Sequence, residues 1–149
     1  MASKGFLRLS DANLRILVTL QGKLLAGVDP KTCAAIARGN HTRSQFVEAL
    51  SHLAPQDVDR WLALSREAGL AELKNAPPRK KIEQEKVHRA MEALLRKLPQ
   101  DRAAWLRSVL ADMSASSDED ACRATRTLYQ GATSLEEPHR SILAQALVQ

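Results

Sequence analysis

From residue 10 onward, apolar side chains recur at three- and four-residue spacing, and nearly every such run opens on a helix-start signal. Ser10-Asp11 precedes Leu14, Leu17, Val18, Leu24 and Leu25, and Asp29-Pro30 pairs a capping carboxylate with a proline that forfeits no needed amide. Thr42 and Gln45 have the spacing of a capping box ahead of Phe46, Val47, Leu50 and Leu53. Pro55-Gln56-Asp57 opens the stripe Val58, Trp61, Leu62, Ser65 and Ala68. Val87, Met91, Leu94, Leu95 and Leu98 form a later stripe, and Pro99-Gln100-Asp101 opens Trp105, Leu106, Val109, Leu110 and Met113. Ser114 to Asp120 reads as a polar turn before Ala121, Cys122, Thr125, Leu128 and Tyr129. A second capping box is expected at Ser134 to Glu137, before Ile142, Leu143, Ala146 and Leu147. Gly22, Gly39, Gly69 and Gly131 are the candidate stops or weak points.

No Asn-Gly or Asp-Gly hairpin signal occurs, and only Leu70 to Lys74 alternates apolar with polar residues. Aromatic residues make up 3% of the chain, so a core must be built from Leu, Ala, Val and Ile, which suits packed helices. The expected fold class is therefore all-α, with at most one short strand pair. Asn75-Ala76-Pro77-Pro78, followed by Arg79-Lys80-Lys81, reads as a linker over residues 75–82. It would divide residues 1–76 from a helical C-terminal domain at 77–149.

Several functional classes lack their residues. No apolar run reaches the roughly 20 residues of a membrane span. Residues 1–9 carry Lys4 and Arg8 without the apolar stretch of a secretion signal. Cys33 and Cys122 read as isolated, idle thiols in a reducing cytoplasm. His41, His52, His88 and His139 have no ligand spacing with Cys or carboxylates, and the glycines form no phosphate loop. The expectation is a soluble cytoplasmic protein with no cofactor, no metal and no catalytic centre.

The net charge of +5 invites a nucleic-acid reading, but its placement matters more. Residues 77–107 hold 9 basic and 4 acidic side chains, whereas residues 108–149 hold 3 and 6. Within the basic segment, Glu85 lies four residues before Arg89 and Glu92 four before Arg96, the spacing of pairs on a solvated helix face.

The chain also resembles itself. Residues 48–62 (EALSHLAPQDVDRWL) and 92–106 (EALLRKLPQDRAAWL) agree at 8 of 15 positions, including Trp61 with Trp105 and Leu62 with Leu106. Each copy reads as the end of one helix, a brief turn and a second helix, with the tryptophans expected as core pegs. Duplication and coincidence in a Leu/Ala-rich chain remain equal readings.

Residues 29–73 run as short helix, Gly-Asn turn, capped helix, Pro-initiated helix and extended stretch. The strings Thr42 to Leu50, Ala54 to Val58 and Arg66 to Leu70 resemble a winged helix-turn-helix over about 45 residues. The resemblance implies DNA binding through the third helix, with Gln56, Asp59, Arg60, Ala63 and Arg66 facing the groove. Arg79, Lys80 and Lys81 would then replace the wing. Asp57 and Asp59 would meet phosphates with like charge, so the same helix suits a protein partner as well.

The sequence thus points to a non-enzymatic regulator whose partner is DNA or another protein, with self-association open and no membrane contact. Gln56, Arg60, Arg66, Arg79, Lys80 and Lys81 are the expected binding residues. The rival reading is a protein–protein adaptor, such as an assembly or secretion regulator, using the same helical surfaces.

Overall fold

In the computed structural model, which describes residues 4–149, eight α-helices follow a short 3-10 turn at Phe6–Arg8. The first three residues of the stretch read for a secretion signal lie outside the described residues. The helices are α1 (Asp11–Ala26), α2 (Pro30–Ala37), α3 (Arg43–Ser51), α4 (Pro55–Leu73), α5 (Gln84–Leu95), α6 (Gln100–Ala111), α7 (Asp118–Ser134) and α8 (His139–Val148). No strand occurs among the described residues, so the fold is all-α.

Most helix starts lie where the chemistry placed them. The Ser10 hydroxyl accepts from the Asn13 amide, and the Asp29 carboxylate accepts from the amides of Lys31 and Thr32. The Thr32 bonds, led by that to its side chain, hold the Asp29 carboxyl below its ordinary pKa. Thr42 and Gln45 complete the reciprocal capping box.

Helix ends differ from expectation, for identifiable reasons. Helix α1 runs through Gly22, and α4 runs through Gly69 to Leu73, so the extended stretch expected at Leu70 to Lys74 is helical. The stop comes at Asn75, with φ +53°, where the Asn75 amide donates to the Glu72 carbonyl and the Ala76 amide to the Ala71 carbonyl. Asparagine here fills the left-handed position of a Schellman ending, as Gly39 does after α2. Gly131 does not close α7 either. It lies inside the helix because a Cβ there would sit 2.7 Å from the Leu94 side chain, so its bareness lets α5 approach. The capping box expected at Ser134 does not form. Ser134 ends α7 with its hydroxyl donating to the Gly131 carbonyl, and α8 starts after a cis Glu137–Pro138 bond.

The two stretches on either side of residues 75–82 pack against each other. Helix α1 lies against α4, α7 and α8, α2 lies against α7, and α5 lies against α8. One apolar cluster joins Leu14, Leu17, Trp61 and Leu64 to Ala144 and Val148. A second joins Leu94, Leu106 and Val109 to Ala132 and Leu143. The third joins Leu24, Leu25, Val28 and Leu53 around Cys33 and Cys122.

Those two cysteines are not idle thiols. They form a buried disulfide between α2 and α7 across a sequence separation of 89. Their separation in the chain hid the pairing, because only the packing of α2 on α7 brings them together.

Candidate docking face on α4

Helix α4 is fastened to α1 along its inner side, and the two run antiparallel. Trp61, Leu64 and Ala68 are buried in the first cluster, with the Phe46 ring 5.8 Å from Trp61. The flanks are tied by polar contacts. Lys23 Nζ lies 2.8 Å from an Asp57 carboxylate oxygen, and Asn13 Nδ2 donates to Glu67 at 2.9 Å. An inner apolar face and two polar ties fix which side of α4 must face outward.

That outer side sets three exposed leucines among polar and charged residues. The large hydrophobic residues left exposed are Val47 on α3 (57%) and Leu62 (58%), Leu70 (43%) and Leu73 (81%) on α4. Leu62, Arg66, Leu70 and Leu73 are spaced by four, four and three residues, so they form one ridge. At the helical rise this ridge spans roughly 16 Å. Gln56, Asp59, Arg60, Ala63 and Arg66, the residues expected to face a partner, are all exposed on α4, with Arg66 inside the ridge between Leu62 and Leu70.

The basic residues of the linker are placed elsewhere. Arg79 is half-buried: its amide donates to the Leu7 carbonyl, its Nε donates to the Leu9 carbonyl at 2.9 Å, and it pairs with Asp11 at 2.6 Å. Gln145 on α8 donates to the Lys80 carbonyl at 2.7 Å, and Arg8 donates to the Ala76 carbonyl at 2.6 Å. Residues 76–80 therefore form a strap held against the start of α1 and against α8. Of the three basic residues, only Lys80 and Lys81 remain exposed. The strap meets α1 at Asp11, whereas Asp57 meets α1 at Lys23, about 18 Å further along the helix. Gln56 and Arg60 lie beside Asp57 on α4, so the structure splits the expected binding residues into two groups.

Other arginines are also held inside the fold, which lowers the weight of the net positive charge. Arg126 donates to the Leu25 and Val28 carbonyls at 2.8 and 2.6 Å, closing the end of α1. Arg38 donates to the Met113 and Ser116 carbonyls and pairs with Asp118, fastening the α6–α7 turn to α2. Glu85 pairs with Arg89 as its spacing predicts, but Glu92 reaches across to Arg107 on α6 at 2.8 Å instead of to Arg96.

Among the described residues no group of three or more His, Cys, Asp or Glu could hold a metal ion. No helix among them is long and apolar enough to cross a membrane. Comparison of the chain with known protein families, with curated proteins and with solved structures gives no match.

Proposed function

We propose that the protein is a non-enzymatic adaptor that binds an amphipathic helix of a partner protein along the outer face of α4. The observation that carries this reading is the ridge of Leu62, Leu70 and Leu73, exposed on a helix whose inner face is already packed. Apolar side chains at helical spacing form a ridge that seats in the groove of a second helix. The surrounding Gln56, Asp59, Arg60 and Arg66 supply a polar rim of mixed sign, which sets register more than affinity.

The winged helix-turn-helix resemblance keeps a second reading, binding of duplex DNA. The exposed Arg66, Lys80 and Lys81 favour it. Against it weigh Asp59 on the presented face and the carbonyl-bound state of Arg79. The buried disulfide weighs against the cytoplasmic setting expected from sequence, since such bonds persist in oxidising compartments.

A photo-crosslinking residue at Leu70 should capture a protein from the native source, and Leu62→Asp with Leu73→Asp should abolish the product. A mobility shift with duplex DNA at low salt decides between the readings. The adaptor gives none, whereas a shift that collapses with added salt and is lost on replacing Arg66, Lys80 and Lys81 with Ala overturns it.

A further inference from the structure

The opposite flank of α4 lines a cleft of about 380 Å³ between α1, α4 and α8. This is at the small end of the volumes that hold small-molecule ligands. Its α1 wall includes the apolar side chains of Ile16 and Leu20. Around them stand four cations, Arg15 and Lys23 from α1, Arg60 from α4 and Arg140 from α8.

Two of these cations are already committed. Arg15 donates to Glu137 and to Ser141, both at 2.9 Å, and Lys23 is paired with Asp57. The other two are not. Among the described residues neither the Arg60 nor the Arg140 side chain has a hydrogen-bond or ion-pair partner, and the Arg140 Nε is buried with none. Glu137, which feels the charge of Arg140, is already engaged by Arg15 and Ser141. A guanidinium with no protein partner leaves its terminal nitrogens to an incoming carboxylate or phosphate oxygen, which binds them with charge-assisted bonds.

We infer that this cleft is a binding site for a small phosphate monoester, its phosphate held between Arg60 and Arg140 and its apolar body on Ile16 and Leu20. The two unpaired cations match the charge of a phosphate monoester, which is close to −2 at neutral pH. Arginine suits that group because its fork offers two parallel donors to phosphate oxygens. The apolar wall calls for a body that inorganic phosphate lacks. Arg60 borders both this cleft and the docking face, but Leu62, Leu70 and Leu73 take no part in the cleft, so replacing them tests the docking face alone.

The test is an amide-resolved NMR titration of the full chain with phenyl phosphate. Saturable shifts are expected at Ile16, Thr19, Leu20 and Arg60, and inorganic phosphate should bind at least about tenfold more weakly. Arg60→Ala and Arg140→Ala should each weaken phenyl phosphate by about tenfold or more, while Arg43→Ala on α3 should change nothing. Arg60→Lys, which keeps the charge, should recover part of the loss, and melting curves of all variants should show the fold intact. Equal binding of succinate would overturn the phosphate assignment. Absence of saturation up to roughly 10 mM, or shifts indifferent to both arginine replacements, would overturn the site itself.

Discussion

The units α3–α4 and α5–α6 share letters but not orientation. Leu62 and Leu106 occupy the same place in the two similar segments, yet Leu62 is exposed and Leu106 is wholly buried. The tryptophans before them differ the other way. Trp61 is buried against α1, whereas Trp105 is only partly covered and lies beneath the Arg123 guanidinium, 4.3 Å from the ring centroid. The shared Pro-Gln-Asp string lies at both helix starts, but Pro55 is the first residue of α4 whereas Pro99 is the N-cap of α6. Which stripe of each helix becomes core is decided by its neighbours: α1 covers the Trp61 side of α4, and α7 packs against α6. The repeated motif therefore marks a helix start to within one residue and leaves burial undecided.

The comparison can be broken most forcefully at the disulfide. Replacing Cys33 and Cys122 with Ser should cost about 4–5 kcal/mol, the loop-closure value for a separation of 89 residues. Hydrogen exchange should then show α2 and α3 opening before α5 and α6. Simultaneous opening would mean the two units are not independent in stability. Next in size, Leu106→Ala should cost about 2–5 kcal/mol in urea unfolding, as for a full core truncation. Leu62→Ala, the same change at the equivalent position, should stay within roughly 0.5 kcal/mol. Equal losses would erase the distinction.

Tyr129 sharpens the same contrast by titration. It packs against both clusters that border α3 and α4, and burial pushes its phenol up to about 12. A group with a raised pKa contributes its stability in full below its unfolded value near 10 and loses it as the pH rises through the folded value. The protein should thus weaken between about pH 10 and 12, with phenolate absorbance appearing late. A modest effect belongs to Arg123→Met, which removes the cation from Trp105 and should cost about 0.5–1 kcal/mol. Fluorescence would register it through Trp105 alone, leaving Trp61 silent.

Much of the architecture was legible because caps act locally. Ser10, Asp29 and Thr42 need only the next two or three amides, so their chemistry survives any tertiary setting. Stops were misread at Gly69 and Gly131 because a lone glycine does not itself end a helix: a Cβ at Gly69 would meet open space, whereas at Gly131 it would meet Leu94. The α4 residues that the winged-helix resemblance implied would face a partner are exposed. The strap could not be foreseen, since Arg79 is claimed by the Leu9 carbonyl and Asp11, residues about 70 positions earlier. The cleft was likewise hidden, because Arg60 and Arg140 come to line one cavity only after α4 and α8 settle on α1.

With Cys33 bonded to Cys122, the backbone between them is a closed covalent ring that carries both similar units and the exposed Pro77-Pro78 segment. A protease that nicks this segment once would leave a single molecule of unchanged mass but for one added water. Its two pieces would part on a gel only after a reductant opens the ring. The chain can thus be severed at its most accessible point without shedding either half.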